Sequence, residues 1–176
     1  MTTRTTTGDG IVSVTKRIDA PIEEIFAVIA DPKGHPSFDG SGMVRDGSGN
    51  EPVRGEGDVF VMKMHNDEMG DYEMTNHVVV YEPSRRIVWE PVMSAASRSE
   101  DVAGIGDRAE HRWGYELEAD GNGTVITETF DCSRSPEWLR RATRDGDIWV
   151  EAMTATLELL DRACGRDGRR DDHQTT

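Results

Sequence analysis

Glu128 is the side chain best placed by its neighbours to do chemistry. It stands in Gly123-Thr-Val-Ile-Thr-Glu-Thr-Phe-Asp131, where Ile126, Glu128 and Phe130 alternate with Val125, Thr127 and Thr129. In a strand, that alternation sends the first set to one face. A carboxylate set among apolar neighbours on an inner face loses its hydration. Its charged form is then disfavoured and its pKa rises toward neutrality, the condition a general acid or base needs. Two other readings compete with catalysis. One is a polar contact to a bound molecule; the other is a structural role, through an Arg partner or a bulge that turns the side chain to solvent.

The same logic selects further groups. In 108–119, His111, Trp113, Tyr115 and Leu117 oppose Arg112, Glu116 and Glu118, so His111 and Tyr115 join the inner face. His35 is followed four residues later by Asp39, a spacing at which a carboxylate can orient an imidazole for proton transfer. His35-Pro36 also suits a plain turn, and an inward His111 also suits a hydrogen-bonded core histidine. The catalytic candidates are Glu128, His111, Tyr115 and His35.

Around them the pattern supplies apolar walls. Phe60, Met62 and Met64 share one face of 57–65, away from Val59, Val61 and Lys63. Tyr72, Met74, Asn76, Val78 and Val80 alternate with Glu73, Thr75, His77, Val79 and Tyr81, and Ile87 pairs with Trp89. Methionine is pliable and polarizable, so it fits an irregular apolar guest as readily as it fills a core. The candidate ligand contacts are Phe60, Met62, Met64, Met74, Asn76, Trp89, Trp113, Phe130, Trp149 and Met153.

Two helices must position these strands. Ile22, Ile25, Phe26 and Ile29 recur at helical spacing after Pro21 and stop at Asp31-Pro32. A second, longer helix over 147–163 carries Trp149, Met153, Leu157, Leu160 and Cys164 along one face. Ser135-Pro136-Glu137 opens a helix before it, and Asp145-Gly146-Asp147 kinks or restarts the chain. Strands are predicted at 42–46, 57–65, 71–82, 86–92, 108–119 and 123–132, after a first one around Ile11–Ile18. Asp120-Gly-Asn-Gly123 is a hairpin signal, and 94–106 is a long loop suited to a lid. Residues 1–9 and 165–176 are expected to be flexible segments flanking one domain over 10–164.

Composition limits the partners. With 34 acidic against 20 basic side chains the formal charge is −14, which disfavours nucleic acid and anionic membrane surfaces. No apolar run is long enough to span a bilayer and no leader-like segment opens the chain, so a cytoplasmic monomer or homodimer is expected. Cys132 and Cys164 form no CxxC, and the five histidines show no short-spaced pair, so no metal or other cofactor is expected. There is no GxSxG, and neither Gly8-Asp-Gly10 nor Gly47-Ser-Gly49 has the context of a phosphate loop.

Several segments together carry a family likeness. They are Ala20-Pro-Ile-Glu-Glu-Ile-Phe-Ala-Val-Ile-Ala-Asp-Pro32, His35-Pro-Ser-Phe-Asp-Gly-Ser-Gly42, Gly57-Asp-Val-Phe60, Arg86-Ile-Val-Trp-Glu-Pro91 and Gly123 to Asp131. In this order the chain resembles the START-like helix-grip (SRPBCC) superfamily, particularly its bacterial polyketide cyclase/dehydrase branch, over residues 10–163. The resemblance implies an α+β helix-grip fold of β-α-α-β6-α order, with about seven antiparallel strands curved around the C-terminal helix. It implies a cavity for a hydrophobic ligand and brings no shared catalytic motif.

Three functions remain open. The first is binding of a small hydrophobic or aromatic, polyketide- or lipid-like molecule between sheet and helix. The second is a cofactor-independent cyclase, aromatase or dehydratase moving protons through the cavity Glu, His and Tyr, which needs two polar groups converging on one substrate atom. The third is a co-chaperone-like interaction protein, which should show an exposed apolar patch in place of a cavity.

Overall fold

The computed structural model describes residues 2–7, 9–94 and 109–165. Among the described residues, eight strands form one antiparallel sheet: β1 (Thr2–Thr7), β2 (Ile11–Ile18), β3 (Val44–Asp46), β4 (Val59–Asn66), β5 (Gly70–Glu82), β6 (Arg86–Met93), β7 (Arg112–Asp120) and β8 (Gly123–Asp131). Their order in the sheet is β1-β2-β8-β7-β6-β5-β4-β3. From β3 to β8 this is a meander, and β2 closes it by pairing with the last strand. Helices α1 (Ile22–Ala30) and α2 (His35–Phe38) follow β2, while α3 (Glu137–Ala142) and α4 (Val150–Cys164) follow β8. This is the helix-grip α+β arrangement that the sequence implied.

Two elements depart from expectation. Thr2–Thr7, expected to be flexible, pairs with β2 in register from Thr2↔Lys16 to Thr7↔Ile11. Five of its six residues are threonine, whose branched Cβ favours extended backbone, and the free edge of β2 offers the ladder it needs. The final helix begins at Val150 after a 3₁₀ turn over Asp147–Trp149. Gly146, at φ 95°, takes the left-handed conformation that separates this turn from α3. Of the loop expected over 94–106, only residue 94 lies within the described residues, and the tail expected over 165–176 lies outside them from 166 onward.

The sheet faces follow the alternation except at two register shifts, one between Val44 and Asp46 in β3 and one in β5. The second, between Val78 and Val80, interrupts β5 against β6. Beyond it Tyr81, expected on the outer face, packs edge-on against Phe26 of α1, ring centroids 5.6 Å apart. An extra residue in one strand reverses the faces that follow it. At the far edge, the Asn50 side chain accepts from Val61 N–H and donates to Val61 C=O, each at 2.7 Å. This amide takes the place of a neighbouring strand and satisfies part of an exposed edge.

Much of the core forms where β2, β8 and α1 meet α4. Val14, Ile18, Ile126, Ile25, Ile29, Leu157 and Leu160 are all but fully buried there. Each such aliphatic side chain contributes about 1.5–3 kcal/mol of burial. Lys16 holds the C-terminal half of that helix through ion pairs to Glu158 and Asp161, both at 3.0 Å. Burial alone would lower the Lys16 pKa, but the two carboxylates outweigh it and raise it. Cys132 and Cys164 are both buried and form no disulfide. Among the described residues no helix is long and apolar enough to cross a membrane.

Candidate functional site

The two halves of α4 do different work. Its C-terminal half is packed solid, while Ala152, Met153 and Thr156 in its N-terminal half roof a cavity of about 210 Å³. One buried water needs only about 10–15 Å³ on this measure, so the space is far larger than a packing defect. The sheet supplies the floor, and α2 with the 39–44 turn supplies the rim. Gly40 makes the rim possible. A Cβ there would stand 2.1 Å from the Ala152 carbonyl oxygen, and Gly40 N–H donates to Thr156 Oγ1 at 2.9 Å.

Of the fourteen residues singled out above, Phe130 alone lies outside the cavity wall. Its ring sits behind the wall, 4.8 Å from Trp113, 5.8 Å from His111 and 6.2 Å from Trp149. Alternation gave its face correctly, but the larger rings in front cover it. The wall has two zones. His35, Phe38, Phe60 and Trp89 form an aromatic cluster at one side, with centroids 5.1–5.8 Å apart. His111, Trp113 and Trp149 gather around Phe130 at the other. Tyr115, 5.8 Å from Trp89, and Glu128 stand between them. Met62, Met64, Met74 and Asn76 line the β4–β5 side.

Glu128 points inward because the β7–β8 register runs unbroken from Arg112↔Asp131 to Asp120↔Gly123. It is 4% exposed. Tyr115, directly opposite, donates its hydroxyl to Glu128 Oε1 at 3.0 Å. Oε2 is buried with no hydrogen-bond partner. Burial pushes the Glu128 pKa up to about 8, with Asp39 adding to the rise and the Tyr115 bond opposing it. At neutral pH the carboxyl is therefore mostly protonated. Burial, then the neighbouring Glu128, also raises the Tyr115 phenol well above its usual range.

A second buried carboxylate shows what a structural role looks like. Glu90 on β6 accepts from Arg112 Nε at 2.8 Å and from Arg134 Nη2 at 3.2 Å. Glu128 has no such cation beside it. The Arg partner and the solvent-turning bulge considered for Glu128 are both absent from the geometry.

The histidines behave differently from each other. His35 Nε2 donates to the Ile29 carbonyl at 2.7 Å, and burial lowers its pKa. Its expected pairing with Asp39 does not form, because Asp39 is occupied elsewhere. As the α2 C-cap residue it accepts from Ser41 Oγ at 2.8 Å and from Val44 N–H at 2.8 Å, which ties the rim. His111 Nδ1 is buried and unpartnered, and burial lowers its pKa to about 4. Trp149 Nε1 is buried and unpartnered as well. Asn76 donates weakly to the Phe60 and Met74 carbonyls, at 3.4 and 3.3 Å.

Several wall residues lie outside the set that sequence pattern selects. Tyr72 was already on the inner face of β5. Ala152 and Thr156 follow from helical spacing around Trp149 and Met153. Pro91 continues the Ile87 and Trp89 alternation on β6, whereas Phe38, Ser41, Met43 and Val44 had no periodic signal, because α2 is short and the turn beyond it is irregular. Chemically, the arrangement offers a protonated carboxyl, a phenol and two uncharged imidazoles in an apolar enclosure.

Known proteins place this architecture. A crystal structure of a protein from Mycobacterium smegmatis matches with a TM-score of 0.64 at 16% identity, covering 92% of this chain and 95% of the other. A protein in the dynemicin biosynthetic locus matches with a TM-score of 0.55 at 16% identity, over 89% of this chain and 49% of the other. In sequence, the chain is 33% identical over 128 residues to an uncharacterized protein of Mycobacterium tuberculosis, 70% of this chain. It spans about half that relative's length, 48%. The model of the family described as polyketide cyclase/dehydrase and lipid transport matches residues 10–165, and the chain belongs to that family.

Proposed function

We propose that the protein binds one small hydrophobic or aromatic molecule, polyketide- or lipid-like, between the sheet and α4. The observation that carries this reading is the cavity of about 210 Å³, walled by methionines and aromatic rings with polar groups set singly among them. Family membership supports it. Native mass spectrometry of protein purified from its own host tests the reading. A retained small molecule that leaves on denaturation, and is lost from a Met153→Trp variant that fills the roof, is the expected result. Protein that is ligand-free from its host and binds no apolar probe would overturn it.

A second reading has one specific observation in its favour. Glu128 pairs a raised pKa with an oxygen free of any protein partner, as a proton-transferring group of a cyclase or dehydratase requires. Under it, Glu128→Gln abolishes turnover of the retained molecule while its binding persists. Under the binding reading alone, no turnover exists to lose.

A further inference from the structure

Three buried polar atoms among the described residues share a property and a place. Glu128 Oε2, His111 Nδ1 and Trp149 Nε1 all lack a hydrogen-bond partner. All three side chains line the one cavity. Native proteins leave few such atoms, and each calls for an explanation. Here His111 and Trp149 lie on one side of the space, and Glu128 stands between that side and the aromatic one, bonded to the Tyr115 that packs on Trp89. His111 and Trp149 both pack on the Phe130 ring, and Glu128 precedes Phe130 by two residues on the same face of β8. The opposite side, around Phe38, Phe60 and Trp89, is aromatic.

The chemistry of the three atoms limits their complement. An indole N–H can only donate, so its partner must be an acceptor. A protonated carboxyl oxygen donates too, and an imidazole nitrogen can do either. Among the described residues no Lys or Arg lines the cavity. Asp39, the carboxylate at the rim, is already bonded to Ser41 and Val44. A charged carboxylate brought inside would lose its water and meet no cation among these wall residues.

We infer that the cavity selects an uncharged guest with a flat apolar body and one hydroxyl or ketone oxygen, seated against Trp149 Nε1, Glu128 and His111, and that it rejects carboxylates. This rests on the ligand-binding reading and adds the polarity of the ligand to it.

Three probes with one ring body test the inference on the full chain at pH 7 by calorimetry: naphthalene, 2-naphthol and 2-naphthoate. Naphthol should bind tightest, with naphthalene weaker by roughly fivefold for the lost hydrogen bond and naphthoate by roughly tenfold or more for the buried charge. Naphthoate binding as tightly as naphthol, or naphthol no better than naphthalene, would overturn the polarity and leave the cavity reading standing. Binding of none of the three would overturn both. In Trp149→Phe, which keeps an aromatic ring, naphthol should lose part of its roughly fivefold advantage over naphthalene, whose binding stays unchanged. An equal loss for both probes would make Trp149 a packing residue and remove its donor role. The wild-type ranking stands as a test whether or not that variant folds.

Discussion

Tyr115 and Glu128 face each other across β7 and β8, the phenol donating to Glu128 Oε1 at 3.0 Å while Oε2 meets no partner. One oxygen is fixed and the other is left for whatever enters the cavity. The bond holds the carboxyl in one rotamer, so its free oxygen is positioned before a guest arrives. Because burial disfavours charge on both groups, the pair is neutral at pH 7, with its first ionisation at Glu128.

That ionisation makes stability depend on pH. The folded Glu128 pKa of about 8 lies above the unfolded 4.5, so between them the folded protein keeps a proton that the unfolded chain releases. The stability this group contributes is fully present below pH 4.5 and is lost as pH rises through about 8. Glu128→Gln removes the dependence, since Gln stays neutral. Melting curves should show wild type losing on the order of several degrees relative to the variant across that window. Parallel curves would mean that the folded carboxyl ionises normally.

His111 titrates with the opposite sign. Its folded pKa of about 4 lies below 6.5, so its contribution is present at neutral pH and is lost as pH falls from 6.5 toward 4. His111→Phe should lessen the acid-side loss of melting temperature. At pH 7 it should hold or gain stability, because an unpartnered buried nitrogen disappears. A variant that melts much lower at pH 7 would show that Nδ1 has a stabilising partner, such as an internal water.

Gly40 sets the contact between rim and roof. Any Cβ there collides with α4 backbone, 2.1 Å from Ala152 O and 2.4 Å from Thr156 N. Backbone cannot yield as a flexible side chain can, so Gly40→Ala should cost about 1–3 kcal/mol and push the 39–44 turn outward. Chemical denaturation gives the loss, and hydrogen exchange at residues 39–44 shows whether the rim has moved. An unchanged midpoint would refute the close packing.

Lys16 can be tested as an anchor. Lys16→Met keeps most of the buried stem but leaves Glu158 and Asp161 without this cation. Both partners are partly exposed, so a loss of about 1–2 kcal/mol is expected, below the value for a fully buried pair. High salt should narrow the gap between variant and wild type. A gap that ignores salt would place the effect in packing.

Much of the site was legible beforehand because strand alternation is a local rule. It assigned Phe60, Met62, Trp89, Tyr115 and Glu128 to the inner face without any knowledge of their neighbours. It failed where geometry stopped being periodic: at the β5 shift that turned Tyr81 inward, and in the turn after α2 that brings Met43 and Val44 to the rim. It also says which way a side chain points and nothing of what stands in front of it, as Phe130 shows.

By itself, then, the sequence determined the order of elements from β2 onward, the inner face where alternation runs unbroken and Glu128 as the carboxylate to look for there, through spacing along the chain. Only the tertiary structure decided which buried groups are spent and which are free. Glu90 and Glu128 are both buried glutamates on neighbouring parts of one sheet. One meets Arg112 and Arg134, from 22 and 44 residues away, and the other meets a phenol and an open cavity. Charge compensation depends on contacts distant in sequence, and no local pattern carries them.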